Sequence, residues 1–254
     1  MHWRDEILLY VTTFVAGLLN ATVGSGGLLQ VPMLMLVLPS EHLATILGTA
    51  KLAGLPGLGA GTATFARRLK PAWPLIIRAG LAEIPFAIVG AHLATRLNPA
   101  FARPMALAII VAMSAFVLFQ PDFGETAAPR TQRLRGWTPW AIGAVIGLYE
   151  GFFGSGSGTI LIVLFVWVNG LDLVGASVAS AFVTMAGVFA AAVTYLAADA
   201  VLVPLALRMA VFNVAGALIG AHFITLKGSR GLRRLLIAVL VLLITKLAWD
   251  QFTR

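Results

Sequence analysis

The stretch Tyr149-Glu-Gly-Phe-Phe-Gly-Ser-Gly-Ser-Gly-Thr-Ile160 decides how this chain folds. It places four glycines and two serines inside a long apolar run. Each glycine costs a helix roughly 1 kcal/mol relative to alanine, so the cluster predicts an interruption of a helix. Glu150, a carboxylate directly before the interruption, stands in otherwise apolar sequence. We therefore interpret this interruption as a working part of the protein.

A second interruption of the same kind is predicted by Asn20-Ala-Thr-Val-Gly-Ser-Gly-Gly-Leu28. Gly154 lies 130 positions after Gly24, and the serine and glycine that follow match as well. Other residues match at the same offset: Arg78 with Arg208, Glu83 with Asn213, Gly90-Ala-His92 with Gly220-Ala-His222, and Arg103 with Arg233. One constant offset over so long a stretch predicts an internal duplication.

The composition is that of an integral membrane protein. Apolar residues make up 59% of the 254 residues, charged residues make up 11%, and the mean hydropathy is +0.94. Soluble domains have about 45–50% apolar and about 25% charged residues. The net charge of +8 comes mainly from residues at the ends of apolar runs, where Lys and Arg set topology and contact lipid headgroups, so we expect no nucleic acid partner. The chain has no cysteine, which excludes disulfides, thiolate metal sites and cysteine nucleophiles.

Apolar runs divide the chain into eight segments, of which two are interrupted. The segments are 7–38 (interrupted at 24–27), 43–66, 73–97, 101–119, 137–168 (interrupted at 154–158), 173–197, 201–226 and 232–249. We predict a first transmembrane repeat over 1–120, a polar connecting loop over 121–136 and a second repeat over 137–254. The expected location is the inner cell membrane, which the chain crosses several times.

The lengths of the interrupted segments favour inverted repeats. The limb from Leu28 to Leu38 has 11 residues, too few to cross about 30 Å of hydrocarbon at 1.5 Å per residue. If each interrupted segment is a re-entrant helical hairpin, each repeat has three transmembrane helices, and an odd number inverts the second repeat. The loop side then holds ten of the fifteen counted Lys and Arg residues, against nine if both segments cross fully. We predict an all-α polytopic membrane protein built in this way, with the loop cytoplasmic.

Interrupted helices at membrane depth are candidate anion sites. Their new N-termini expose N–H groups and the positive end of the helix dipole, and glycine lets a ligand approach the backbone. The alternative is that small residues only allow close helix packing. The candidate substrate-binding residues of the two interruptions are Asn20, Gly24, Ser25, Gly26, Gly27, Gly154, Ser155, Gly156, Ser157 and Gly158.

Ionisable residues inside the spans add further candidates, because charge in hydrocarbon is costly. Lys51, Arg78 and Arg208 are candidate anion ligands, although each cation could instead extend to the membrane surface. Glu150 and Glu83 are candidates for carrying a coupling proton, with Glu150 favoured. A loose ion pair of Glu83 with Arg78 is the structural alternative.

Two motifs resemble the TauE/SafE family of sulfite and sulfonate exporters. They are Gly17-Leu-Leu-Asn-Ala-Thr-Val-Gly-Ser-Gly-Gly27-Leu-Leu-Gln-Val-Pro32 and Gly147-Leu-Tyr-Glu-Gly-Phe-Phe-Gly-Ser-Gly-Ser-Gly158. The resemblance implies a secondary transporter of small sulfur-containing anions, either sulfite or organosulfonates such as sulfoacetate, with no catalysis and no bound cofactor. The repeats differ where Asn20 stands opposite Glu150, so the second interruption is the expected place for coupling to the proton gradient.

Other functions remain as alternatives. An anion channel or a transporter of a non-sulfur organic anion would fit the same features. An intramembrane enzyme is not expected, because the aspartates lie at span ends or in loops and no His/Glu metal cluster is present in the sequence. The expected partners are a small anionic substrate and the lipid bilayer, and a homodimer is left open.

Overall fold

The computed structural model describes residues 3–24, 26–97 and 136–223, and the regular structure in them is helical. The helices are α1 (Trp3–Val23), α2 (Gly27–Val37), α3 (Leu43–Arg68), α4 (Trp73–Thr95), α5 (Thr138–Phe152), α6 (Ser157–Trp167), α7 (Leu173–Ala197) and α8 (Val203–Phe223). The predicted spans 101–119 and 232–249, the predicted loop up to residue 135 and the candidate Ser25 lie outside the described residues.

Four helices, α3, α4, α7 and α8, are long and apolar enough to cross a membrane. Large apolar side chains such as Leu81 on α4 and Val211 on α8 are exposed, as contact with lipid requires. The chain is therefore a multi-pass membrane protein. Helices α2 and α6 have 11 residues each, which corresponds to about 16 Å and is too short to cross.

Both predicted interruptions are present, between α1 and α2 and between α5 and α6. The two preceding helices end in the same way. Gly24 N donates to Leu19 O and Gly154 N donates to Tyr149 O, each at 2.9 Å. Gly24 and Gly154 have φ values of +69° and +76°, a left-handed conformation that side chains other than glycine adopt only with strain. This conformational demand explains why glycine stands at both positions.

Glycines bring helices of different repeats into close contact. On α5, a Cβ at Gly143, Gly147 or Gly151 would collide with the α4 carbonyls of Ala79, Glu83 and Ala87, in that order. The residue numbers of the contacts increase in the same direction along both helices, so α4 and α5 pack in parallel. The same arrangement recurs where Gly17 of α1 meets Asn213 of α8. The first helix of each predicted repeat therefore packs against the fourth described helix of the other.

Helices α3 and α7, which correspond at the 130-residue offset, cross in opposite directions. Thr62 Oγ1 contacts Met185 Sδ at 3.3 Å, whereas Gly48, earlier on α3, lies against Tyr195, later on α7. Positions that rise on one helix while they fall on the other mean antiparallel packing. Helix α7 also contacts α4, α5 and α6, so it lies at the centre of the described structure.

Candidate functional site

The two interruptions touch each other in the interior. The backbone of Gly24 lies against that of Gly158 so closely that a Cβ at either position would collide with the other residue. A Cβ at Gly27 would lie 3.2 Å from Ser155. Glycine at these positions therefore has a packing role as well as a conformational one, because it lets the two non-helical segments meet.

Serines of α7 donate to backbone carbonyls next to both interruptions. Ser180 Oγ donates to Gly158 O at 2.8 Å, and Ser177 Oγ donates to Thr22 O at 3.3 Å. Buried carbonyls must find such partners, because lipid supplies none. Helix α7 is therefore hydrogen-bonded to the end of α1 and to the start of α6, one bond at each interruption.

A small cavity of about 50 Å³ lies where the interruptions meet α3 and α7. Its wall includes pairs of residues that correspond at the 130-residue offset. These pairs are Asn20 and Glu150, Gly24 and Gly154, Gly27 and Ser157, Gly54 and Thr184, and Leu58 and Val188. The cavity therefore lies between parts of the chain that correspond at this offset, where α3 and α7 cross.

A buried ion pair lines this cavity. Lys51 Nζ lies 2.5 Å from Glu150 Oε1, and the two side chains are 7% and 3% exposed. Ser157 Oγ donates to the other carboxylate oxygen, Glu150 Oε2. A Cβ at Gly154 would collide with both Lys51 Nζ and Glu150 Oε1, so only glycine leaves room for the pair under the backbone.

Three buried polar atoms that line the cavity have no hydrogen-bond partner among the described residues. They are Gln30 Nε2, Ser155 Oγ and Thr184 Oγ1. Buried helical threonines elsewhere donate to a carbonyl of their own helix, as Thr194 Oγ1 does to Ala190 O at 2.9 Å. Buried polar groups without partners are rare in native proteins, so these three donors indicate a ligand or water molecules that they would bind.

Asn20, which corresponds to Glu150 at the 130-residue offset, makes different contacts. Asn20 Oδ1 accepts a hydrogen bond from Gly26 N at 2.9 Å, so its amide stabilises the first interruption locally. Glu150 instead binds side chains of α3 and α6. The predicted asymmetry between Asn20 and Glu150 therefore corresponds to different contacts.

A second carboxylate lies near this site. Glu83 of α4 is fully buried, its oxygens make no hydrogen bond within the described part of the chain, and it packs over Gly187. Asn213 of α8 packs over Gly57 in the corresponding place. The α4–α5 pair thus carries both carboxylates, Glu83 and Glu150, and the α1–α8 pair carries both amides, Asn20 and Asn213.

The structure brings together most of the predicted site. The predicted residues that line the cavity are Asn20, Gly24, Gly27, Lys51, Glu150, Gly154, Ser155 and Ser157. Gly26, Gly156 and Gly158 belong to the same interruptions without lining it, and Ser25 is outside the described residues.

The predicted arginine ligands lie elsewhere. Arg78 is exposed on α4, and Arg208 is exposed on α8, where its Nε donates to Pro204 O at 3.3 Å. Neither lines the cavity. Gln30 and Thr184 do line it and were absent from the predicted site; a polar residue inside a span was the one signal that could have indicated them. No group of three or more metal-ligating side chains occurs in 3–24, 26–97 and 136–223.

Comparison with known proteins places the chain among membrane transporters. The family profile described as sulfite exporter TauE/SafE matches residues 9–247. The chain is 29% identical to "Probable membrane transporter protein ORF9" of a Sinorhizobium species over 95% of this chain and 92% of the relative. It is 26% identical to a "Probable membrane transporter protein" of Haemophilus influenzae over 96% and 94% of the two chains. It is 25% identical to "Probable membrane transporter protein YfcA" of Escherichia coli over 96% and 90%. No solved structure matches the chain.

Proposed function

Because this chain belongs to the TauE/SafE family of membrane transporters, we propose that it is a secondary transporter of small sulfur-containing anions, sulfite or organosulfonates, coupled to the proton gradient. The substrate occupies the cavity between the two interruptions. The family supports transport as the activity, and the residues of the cavity support an anion as the substrate.

The cavity wall is the observation that carries this proposal. A buried ammonium, Lys51, lies beside three donors without partners, Gln30 Nε2, Ser155 Oγ and Thr184 Oγ1. A sulfite or sulfonate group has three oxygens that accept hydrogen bonds, which suits a cavity wall that combines a cation with three such donors. Hydrogen bonds to charged groups contribute about 1.5–3 kcal/mol each, which makes this donor set selective for an oxyanion.

Proton coupling is assigned to the two buried carboxylates. Glu150 lines the cavity and Glu83 lies behind it on α4. A carboxylate at membrane depth is costly, which points to a function, and a carboxyl group can exist with or without a proton. The amides Asn20 and Asn213 at the corresponding positions of the other helix pair cannot carry one.

Inverted repeats with re-entrant hairpins are the architecture that we propose for this transporter. The antiparallel crossing of α3 and α7 supports inversion, since these helices correspond in the two repeats. The short α2, with Gly26 lying back against Ala16 of α1, supports a chain that turns back at the interruption. Equivalent helices that cross around one cavity give two related ways to open it, which is the geometry of alternating access.

Flux into proteoliposomes tests the proposed function. The screen compares sulfite, thiosulfate, sulfoacetate, isethionate and taurine with acetate and phosphate, each with and without an imposed proton gradient. We expect transport of at least one sulfur anion, stimulation by the gradient, and loss of transport in Lys51→Met but not in the exposed control Lys70→Met. Transport of non-sulfur anions alone would contradict the substrate class, and transport that exceeds carrier rates and ignores the gradient would indicate a channel.

A further inference from the structure

The ion pair in the cavity raises the question of how an anion could reach Lys51. Its ammonium is already bound by Glu150 Oε1 at 2.5 Å. Both side chains are almost fully buried, so a second anion entering beside an ionised Glu150 would add a net negative charge to a site that water does not screen. Binding of the substrate to Lys51 therefore requires that the charge of Glu150 be removed.

We propose that the anion and the carboxylate of Glu150 compete for Lys51, so that one proton is taken up by Glu150 for each anion bound. This deepens the proposed transport function and rests on it. In the step, a proton from water binds Oε1 of Glu150, the ion pair to Lys51 separates, and an oxygen of the anion takes the place of Oε1. The cavity contains one positive and one negative charge before the step and again after it.

The contacts around Glu150 suit both protonation states. Ser157 Oγ donates to Oε2 of the carboxylate, and it can keep donating to Oε2 as the carbonyl oxygen of the carboxyl that is protonated on Oε1. Gly154 has no side chain, so the carboxyl and the ammonium can move apart beneath it. The step thus exchanges one anionic partner of Lys51 for another while Ser157 stays bound to Glu150.

The other ionisable groups that face Glu150 do not remove this competition. Glu83 on α4, Tyr195 on α7 and Tyr149 on α5 interact electrostatically with Glu150, but none of them is bonded to Lys51. Tyr195 and Tyr149 donate their hydroxyls to the backbone carbonyls of Gly151 and Ser155. Among the described residues that line the cavity, Lys51 is the cation and Glu150 is the carboxylate.

The test counts protons on binding of isethionate and methanesulfonate, whose sulfonate groups stay ionised throughout the neutral range. Calorimetry on the purified wild-type protein in buffers of different ionisation heat gives the number of protons taken up. We expect one proton per anion, and an affinity that weakens by about tenfold per unit rise in pH over the range of uptake, as linkage of one proton requires. Binding without proton uptake across the neutral range would overturn the proposal.

Variants identify the group that takes the proton. Glu150→Gln should bind the same anions with no proton uptake and a flat pH profile, because its amide releases Lys51 at every pH. Lys51→Met should not bind them. The loop variant Glu41→Gln, a matched carboxyl change outside the cavity, should keep the wild-type proton count. A wild-type proton count in Glu150→Gln would assign the proton to another group and reject the proposal.

The experiment still gives a result if Glu150→Gln does not fold, and it separates failure of this proposal from failure of the proposed function. Glu150→Gln leaves a buried ammonium without its counter-ion, a change that strongly destabilises folded proteins. If that variant does not fold, the proton count on the wild-type protein still tests the proposal. If the wild-type protein neither binds nor transports any anion of the flux screen at any pH, the proposed function itself fails; if it binds them without protons, the competition alone fails.

Discussion

At the scale of single residues, Thr184 gives the cleanest test of the cavity. Its hydroxyl is buried, lines the cavity and has no partner among the described residues. Thr184→Val keeps the shape of the side chain and removes only the donor. Since a hydrogen bond to a charged group contributes about 1.5–3 kcal/mol, we expect anion affinity to fall by about tenfold to about a hundredfold. Titration calorimetry measures the change.

Thr194→Val on the same helix is the matched control. That hydroxyl already donates to Ala190 O, so its removal should leave anion affinity unchanged. Thermal unfolding of Thr184→Val should show no loss of stability, because the hydroxyl that is removed has no hydrogen-bond partner among the described residues. Equal affinities of Thr184→Val and wild type would show that this donor does not bind the substrate.

Single residues also show where sequence reasoning stops. Lys51 and Glu150 are each recognisable as costly charges within apolar spans, but 99 positions separate them, and no local pattern records that they meet. The sequence indicates even less about Thr184. A threonine in a helix usually donates its hydroxyl to a carbonyl of its own helix, and the sequence does not distinguish a threonine that does so from one that does not. Arg78 and Arg208 were predicted from the same cost of charge, yet both are exposed, away from the cavity.

At the scale of elements, the interruptions depend on the left-handed glycines that end α1 and α5. Gly154→Ala should impair the protein for two reasons. The left-handed backbone costs a residue other than glycine about 1–2 kcal/mol, and the added methyl would collide with Lys51 Nζ and Glu150 Oε1. We expect a lowered unfolding temperature and loss of anion binding, measured on detergent-purified protein.

Gly59→Ala on α3 provides the comparison for that substitution. Nothing lies within 4 Å of a Cβ at Gly59, and alanine favours a helix by up to about 1 kcal/mol over glycine. This variant should be as stable as wild type or more so, and should bind anions normally. If Gly154→Ala were as stable as Gly59→Ala and bound anions as well, the close contact of the Gly154 backbone with Lys51 and Glu150 would not be required for function.

The interruptions were predictable from sequence because their physical cause is local. A cluster of glycines in an apolar run opposes a helix wherever it stands, and the two clusters match at one offset. The pairing of the elements was not predictable in this way. That Gly143, Gly147 and Gly151 of α5 pack on α4, rather than on a helix of their own repeat, depends on which surfaces fit together in the folded chain.

At the scale of the whole molecule, the charges are distributed unequally over two similar halves. The α4–α5 pair carries Glu83 and Glu150, whereas the α1–α8 pair carries Asn20 and Asn213. Each pair draws one helix from each repeat, so this separation is visible only after the helices have paired. Under the proposed proton coupling, the buried carboxylates Glu83 and Glu150 place the expected proton route on the α4–α5 side of the cavity.

The proposed architecture requires that the two predicted repeats are inverted, and cysteine labelling can measure their orientation. Since α3 and α7 cross in opposite directions, the loop before α3 should lie on the same face as the loop after α7. Ser40→Cys and Ala198→Cys should therefore react with an impermeant maleimide from one face, and Lys70→Cys and Asp172→Cys from the other. All four side chains are exposed, and the chain has no cysteine of its own to interfere.

The basic residues that end α3 predict which face is which. Arg67, Arg68 and Lys70 lie at that end, and cytoplasmic loops carry an excess of such residues, so Lys70→Cys and Asp172→Cys should be protected in intact cells and react after lysis. Parallel repeats would instead place Ser40→Cys and Asp172→Cys on one face. That pattern would reject the inverted arrangement and, with it, the two symmetry-related openings on which alternating access at this cavity depends.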